Sequence, residues 1–279
     1  MHFYPVGETV CRRLLDMPIE STEWVITGAE ADDVVAAGFN RHMRDETLFV
    51  HAESGDLYQL ARKSLYDEAT QQLVYQAHSS VTLTDELANR PLTLLAMAAD
   101  GDAIIDPYKG QQDIEQGLLR HVNNDYVHVA ENLLITALWA ARLKGWGFKV
   151  AHTTYSMMKK MSATGCINRI PGNVISEAVV QAMASSRPSE FFRVLHRCGA
   201  LHQISSQLDA LFVEVVEEHA KNKQQHSSSA LPEVMRTLDE VAATTDNVSH
   251  IIKQFHASLG EHASNIFHSL GLGALFPDG

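Results

Sequence analysis

The stretch from Val6 to Gly28 constrains the fold most strongly, because it has the order of a strand, a glycine turn, a helix and a second strand. It reads VGETVCRRLL, then MP, then ESTEWVITG. Residues two apart on a strand point to the same face. We therefore expect Ser21 and Glu23 to share one face, with Glu20 on the opposite face. The shared face then presents a single carboxylate.

Further motifs follow this stretch in a fixed order. Together they resemble the bacterial CCA-adding enzymes, which are tRNA nucleotidyltransferases of the DNA polymerase β superfamily. The resemblance covers residues 1–212, about three quarters of the chain. Besides the opening stretch, it rests on Ile104-Ile105-Asp106-Pro107-Tyr108, Gly110, Asp113, Leu118-Leu119-Arg120-His121-Val122, Trp139-Ala140-Ala141-Arg142, Gly147-Phe148, Phe191-Phe192, Cys198-Gly199-Ala200-Leu201 and Asp209-Ala210-Leu211-Phe212.

The resemblance implies an α+β fold, with a small mixed-sheet nucleotidyltransferase head followed by an all-helical neck, body and tail. The predicted domains are a head at 1–122 and a helical neck and body at 123–220, which follow the resemblance, and a linker with a long helical tail at 221–279, which follows from the residue pattern alone. Residue patterns in the head predict a helix at 30–37, strands at 47–51, 57–62 and 73–75, and a helix that begins at Thr84.

The positions that carry catalysis in this family differ here. The family has a second glycine after Gly7, where this chain has Glu8. It also has an Asp-x-Asp pair, where this chain has Ser21-Thr22-Glu23. Two carboxylates can hold two Mg²⁺ ions for phosphoryl transfer, whereas one is left here. Glu23 and Glu8 are therefore expected to be vestigial catalytic residues, and no metal site is expected.

The nucleotide-binding positions differ as well. The family's Arg-Arg-Asp corresponds to Asn89-Arg90-Pro91, so that Arg90 and Gly7 are the nucleotide-binding residues that remain. The base-selecting motif Glu-Asp-x-x-Arg corresponds to residues 128–132, HVAEN, which lack its hydrogen-bonding groups. Pro171-Gly172-Asn173 stands where the family has Pro-Glu-Arg.

Positive charge is concentrated in one segment of an acidic chain. The net charge is −12, yet residues 132–176 contain no Asp or Glu. One interpretation is a solvated helix face, and the other is a surface that contacts RNA phosphates, where the family's body supports the tRNA acceptor stem. The candidate RNA-binding residues are Arg142, Lys144, Lys149, Lys159, Lys160 and Arg169.

The carboxyl-terminal segment departs from the family. Residues 221–230 are rich in Ser, Asn and Gln and predict a flexible linker. Pro232 then precedes apolar residues at alternating steps of four and three, from Val234 to Ile266, which predicts one long heptad helix. Such a stripe must be covered, either by the chain's own body or by a second copy. We predict a homodimer through residues 234–266.

Three functional hypotheses remain open. The first is a degenerate tRNA nucleotidyltransferase, which its motifs indicate is a pseudoenzyme, and which binds tRNA or another RNA. The second is an active enzyme in which Glu23, with Glu8 or Asp56, holds one Mg²⁺ and uses ATP or CTP. The third is a protein-interaction module that acts through the carboxyl-terminal helix. The absence of a long apolar run and of a signal peptide predicts a cytoplasmic protein with no membrane contact.

Overall fold

The computed structural model describes residues 1–43, 45–70, 72–212 and 232–275. The chain divides into two compact units, Met1–Val129 and Ala130–Gly279. The first combines a small mixed sheet with short helices, and the second is mainly helical, which confirms the predicted α+β class. The predicted three-part division of the chain stays a prediction.

A five-stranded sheet forms the centre of the first unit, with the strand order β1-β2-β5-β4-β3. Its strands β2 and β5 are parallel, and the other neighbouring pairs are antiparallel. The strands are β1 (His2–Pro5), β2 (Trp24–Thr27), β3 (Phe39–His42), β4 (Asp45–His51) and β5 (Leu57–Leu60).

Two antiparallel hairpins and four helices complete this unit. The hairpins pair β6 (Arg62–Asp67) with β7 (Gln72–Ala77), and β8 (Ala98–Asp100) with β9 (Ala103–Ile105). The remaining elements are α1 (Glu8–Leu14), α2 (Ala31–Ala36), α3 (Leu83–Ala88), α4 (Gly110–Glu115) and β10 (Leu118–Leu119). The strands and helices predicted between residues 30 and 88 are confirmed to within a few residues.

The core of the first unit fixes the opening stretch. Val6 and Val25 are fully buried and pack with Leu87 of α3, while Ile26 packs with Phe49 on the other side of the sheet. This burial holds the ends of β1 and β2 beside the amino terminus of α1. The Gly7 turn therefore lies on a rigid support.

Helices dominate the second unit. Its elements are α5 (Asn132–Leu143), β11 (Lys149–Val150), α6 (His152–Ala163), α7 (Gly172–Met183), α8 (Pro188–Cys198), α9 (Ala200–Ile204), α10 (Glu233–Ala242), α11 (Val248–Ser258) and α12 (Ala263–Ser269). Ten of the twelve residues of α5 are buried, which makes it the central helix of this unit.

The prediction of one long carboxyl-terminal helix is wrong, because α10, α11 and α12 are separate. Asn247 caps the amino terminus of α11, since its side chain accepts a hydrogen bond from the His250 N–H at 3.1 Å. Gly260 adopts a φ of +56° between α11 and α12, a backbone conformation that glycine tolerates best. The predicted linker at 221–230 lies outside the described residues.

The apolar stripe of these helices is covered by the chain itself. Phe255 is 1 % exposed and stacks on Phe192 of α8, with ring centroids 5.7 Å apart. Asp239 of α10 accepts hydrogen bonds from the backbone N–H and the hydroxyl of Ser189, at 3.0 and 2.7 Å. The predicted homodimer through residues 234–266 loses its basis, since it required these apolar side chains to be free. Within the described ranges, no helix is both long and apolar enough to span a bilayer.

We expect Phe255→Ala to lower the free energy of unfolding by about 3–5 kcal/mol, because it removes a buried aromatic ring and leaves a cavity. Gln254→Ala, which changes an exposed neighbour on the same helix, should change it little. Urea unfolding followed by circular dichroism measures both. An unchanged stability for Phe255→Ala, together with loss of self-association in light scattering, would restore the dimer interface.

Candidate functional site

Gly7 connects β1 to α1, and its backbone lies against the side chains of Glu23 and Arg90. Its φ is +63°, and its N–H donates to the Met97 carbonyl at 3.0 Å. A Cβ atom at this position would lie 2.4 Å from Glu23 Oε2 and 3.2 Å from Arg90 Nη1. The positive φ favours glycine here, and a larger residue would also force the ends of the Glu23 and Arg90 side chains to move.

Arg90 joins two carboxylates beside this turn. Its Nη1 donates to Glu23 Oε1, and its Nη2 donates to Glu86 Oε1 at 3.3 Å. The Glu86 side chain is fully buried, whereas that of Glu23 is 42 % exposed. The second oxygen of Glu86 accepts a hydrogen bond from the Arg62 backbone N–H at 2.7 Å. We call the set Glu23, Arg90, Glu86 and Arg62 the ion chain.

Burial affects the pKa values of Glu86 and Arg90 in this ion chain. It raises the pKa of Glu86, although the nearby Arg90 and Arg62 act in the opposite direction. Burial disfavours the charge of Arg90, but the carboxylates of Glu23 and Glu86 outweigh it and raise the Arg90 pKa. Arg90 is therefore a permanent cation whose charge is already matched by carboxylates of the same unit.

Glu8 is also paired with an arginine. Its Oε1 lies 2.6 Å from Arg12 Nε, one helical turn along α1, and Arg12 Nη1 donates to the Pro18 carbonyl at 2.8 Å. A small cavity of about 170 Å³ lies beside this pair. It is lined by Glu8, Thr9, Arg12, Glu20, Ser21 and Glu23.

The expected strand periodicity does not apply to Ser21 and Glu23. Strand β2 begins at Trp24, so both residues precede it. Glu23 is instead held by its backbone, whose N–H donates to Thr9 Oγ1 at 2.9 Å and whose carbonyl accepts from the Val6 N–H at 2.9 Å. Glu20, which was expected to point away, lines the same cavity as Glu23.

Asp56 shares a second cavity with Glu23. This cavity has a volume of about 410 Å³ and is lined by Ser21, Thr22, Glu23, Trp24, Leu48, Gly55, Asp56, Leu57 and Gln59. Asp56 Oδ2 accepts a hydrogen bond from the Ser54 hydroxyl at 2.7 Å. The structure thus brings Glu23 together with Glu8 in one cavity and with Asp56 in the other.

The donor set does not fit a pair of Mg²⁺ ions with a bound triphosphate. Magnesium binds carboxylate oxygens, and one oxygen of Glu23 and one of Glu8 already pair with an arginine, so that a metal ion would have to share each carboxylate with a guanidinium. Among the residues that the structure describes, no group of three or more His, Cys, Asp or Glu side chains could hold a metal ion. The Gly7 backbone, although open in conformation, is covered by Glu23 and Arg90.

The sequence did not identify Glu86 and Arg62 as site residues. Glu86 and Arg90 are four positions apart, a spacing at which opposite charges meet at one face of a helix. That spacing was the available signal for this half of the ion chain. Nothing in the sequence indicated that Arg62, which follows the sheet strand β5, would lie beside the same carboxylate.

The structure separates the six candidate RNA-binding residues into two groups. Lys144 Nζ lies 3.5 Å from the buried carboxylate of Glu190, and Arg142 lies over the Trp139 ring and donates to Gln181 Oε1 at 3.2 Å. Both are therefore engaged within their own unit. The others are exposed, and within the described ranges none of them has a carboxylate within ion-pair distance: Lys149, Lys159, Lys160 and Arg169.

Comparison with known proteins identifies relatives of this chain. No family model matches the chain. The chain is 36% identical over 214 residues to the multifunctional CCA protein of Pseudomonas fluorescens, which covers 76% of this chain and 52% of that protein. It is 34% identical over 211 residues to the CCA-adding enzyme of Pseudomonas putida, covering 75% of this chain and 57% of that enzyme. The chain thus spans about half the length of the curated relatives it matches.

Solved structures share the fold. The Thermotoga maritima CCA-adding enzyme in complex with tRNA aligns with a TM-score of 0.65 at 17% identity, over 96% of this chain and 60% of that chain. A tRNA nucleotidyltransferase in complex with a primer tRNA and an ATP analogue aligns with a TM-score of 0.58 at 18% identity, over 99% of this chain and 82% of that chain. The resemblance and the fold predicted from the sequence are confirmed.

We expect Arg90→Met to lower the free energy of unfolding by about 3 kcal/mol, because it leaves the Glu86 carboxylate buried without one of its cations. The double variant Arg90→Met with Glu86→Gln should recover part of this loss, since it removes the buried charge. Arg13→Met is the matched control, because Arg13 pairs with the fully exposed Asp102, and such pairs contribute about 0–1 kcal/mol. Urea titration measures all three; equal losses for Arg90→Met and Arg13→Met would contradict a buried ion chain.

Proposed function

We propose that this chain, a relative of the bacterial tRNA nucleotidyltransferases over its first three quarters, is a nucleotidyltransferase-like protein with a degenerate active site. In this proposal it is catalytically inactive or very weak, and it binds tRNA or another RNA in the cytoplasm. The proposal rests on one contact: the Arg90 guanidinium donates to an oxygen of the Glu23 carboxylate, and both side chains lie against Gly7.

The charges around the Gly7 turn support the proposed loss of catalysis. Nucleotide transfer through metal ions needs carboxylates that are free to bind cations and a backbone turn that is open to phosphates. Here Glu23 is paired with Arg90, and Glu8 places a further carboxylate at the first residue of α1. Arg90 and Arg12 are already paired with carboxylates of the protein. The Gly7 turn therefore offers little net electrostatic attraction to a triphosphate.

Exposed cations of the second unit support RNA binding. Lys149, Lys159, Lys160 and Arg169 present positive charge in a chain whose net charge is −12. Two structurally similar enzymes are described in complex with tRNA. Contacts of this kind bind phosphates and do not read bases.

One observation favours a second candidate, an active nucleotidyltransferase with an altered metal site that transfers CMP or AMP to RNA 3′ ends. Asp56 and Glu23 line one cavity of about 410 Å³. In this alternative they hold one Mg²⁺ and the enzyme uses CTP or ATP. The interaction module built on a dimerising helix is not favoured, because Ile252 and Phe255 are buried in the chain itself.

We expect incorporation of labelled CMP or AMP into tRNA that lacks its terminal CCA to be absent or far slower than that of a CCA-adding enzyme, with either Mg²⁺ or Mn²⁺. The P. putida CCA-adding enzyme, assayed in parallel, is the positive control. Ser21→Asp combined with Glu23→Asp should not restore base selection, because residues 128–132 still lack the base-selecting groups. Turnover of the unmodified chain on the order of 1 s⁻¹ would favour the active alternative.

We expect the affinity for tRNA to fall steeply between about 50 and 200 mM salt, because phosphate contacts release counterions. Lys159→Glu with Lys160→Glu should weaken binding at low salt, whereas Lys253→Glu, a charge reversal at an exposed lysine of α11, should not. Filter binding or fluorescence anisotropy measures the affinity. Binding that is independent of salt, or undetectable at low salt, would remove the RNA-binding proposal.

A further inference from the structure

A cavity of about 370 Å³ lies within the second unit and has no assigned role. It is formed where the start of α6 meets α8 and the end of β11. Its walls combine two cations, two hydroxyl groups, an imidazole and an aliphatic side chain. The lining residues are Val150, His152, Tyr155, Ser156, Lys159 and Arg197.

Among the residues that the structure describes, no acid neutralises the two cations of this cavity. Lys159 and Arg197 are exposed, and in the described part of the chain neither has a carboxylate within ion-pair distance. Glu190 is the acidic residue that influences Tyr155, but its carboxylate is already paired with Lys144 and Arg193. The cavity therefore carries positive charge that an incoming anion can match.

Aromatic packing holds Arg197 in place. Its Cζ lies 5.8 Å from the centroid of the Tyr155 ring, which is a cation–π contact. Burial raises the pKa of the Tyr155 hydroxyl, and the opposing influence of Arg197 does not overcome it. Tyr155 therefore stays a neutral phenol, so that its ring supports the guanidinium and adds no negative charge to the wall.

We propose that this cavity binds the phosphate monoester of a nucleotide-sized ligand, with Lys159 and Arg197 as the cations that hold the phosphate. A guanidinium fits two phosphate oxygens at once, and a lysine adds a point charge from the adjoining helix. The Tyr155 ring and Val150 provide an apolar wall for the organic part of the ligand.

Charge and size favour a monoester over a diester within a chain. A phosphate monoester carries about −1.5 to −2 charges at neutral pH, which matches two cations, whereas each diester carries one. The volume of about 370 Å³ lies at the lower end of the roughly 300–1,000 Å³ typical of small-ligand pockets. The ligand is thus a free mononucleotide or the phosphorylated 5′ end of an RNA.

This inference goes beyond the proposed function, because it places a small-ligand site inside the second unit that does not need the Gly7 turn, although Lys159 also belongs to the cations proposed to contact RNA. The test is isothermal titration calorimetry at low salt with AMP and with adenosine, which lacks the phosphate. A second arm compares a short RNA bearing a 5′ phosphate with the same RNA bearing a 5′ hydroxyl. The first arm reports a free nucleotide, and the second reports an RNA end.

We expect the phosphorylated member of at least one pair to bind more tightly than its unphosphorylated counterpart. Lys159→Gln and Arg197→Gln should each weaken that binding about tenfold, as the loss of one charge-assisted contact does. Lys253→Gln, which removes an exposed lysine outside the cavity, should leave it unchanged. Thermal melts of all three variants check that each one is folded.

Two results would overturn the inference. One is equal affinity for the phosphorylated and unphosphorylated members of both pairs. The other is phosphate-dependent binding that neither Lys159→Gln nor Arg197→Gln weakens, which would place the phosphate elsewhere, for instance at Gly7. Loss of tRNA binding with AMP binding intact would remove the RNA-binding proposal and leave this inference standing.

Discussion

The burial of Glu86 is the constraint on which the candidate site depends. A carboxylate that is fully removed from water must be supplied with cations and hydrogen-bond donors. Arg90 supplies a guanidinium from the end of the same helix, and Arg62 supplies its backbone N–H. Arg90 is thereby fixed at the Gly7 turn, where its other nitrogen reaches Glu23. The buried position of Glu86 thus determines that the more exposed Glu23 is paired with Arg90.

The ion chain also packs against the Gly7 turn. A side chain at Gly7 would require the ends of the Glu23 and Arg90 side chains to shift, and its φ of +63° favours glycine in any case. The backbone conformation of this turn therefore favours glycine whether or not a triphosphate binds there.

Sequence patterns predicted the parts of the structure that depend on local order. The head's strands and helices follow from alternating and periodic apolar residues, and the Gly7 turn follows from a single glycine between β1 and α1. The partner of Glu23 could not be predicted in this way, because Arg90 is 67 residues away and the pair forms only when the sheet and α3 pack together. The prediction of a single tail helix was wrong because of local rather than long-range features. Its apolar residues do recur, but Asn247 starts a new helix and Gly260 separates α11 from α12, and a periodicity argument does not detect such breaks.

The ion chain bears on the choice between the proposed inactive form and the active alternative. A cation that bound Glu23 and Asp56 would compete with Arg90 for the Glu23 carboxylate. Arg90 cannot move away freely, because its second nitrogen is held by Glu86, which would lose a buried partner. Binding of a metal ion would therefore have to supply the free energy for displacing a guanidinium, in addition to dehydrating the ion. Aspartate pairs that face no arginine avoid this cost. In the proposed inactive form, Ser21 and Glu23 stand in place of such a pair, so that one carboxylate remains and it is paired with Arg90.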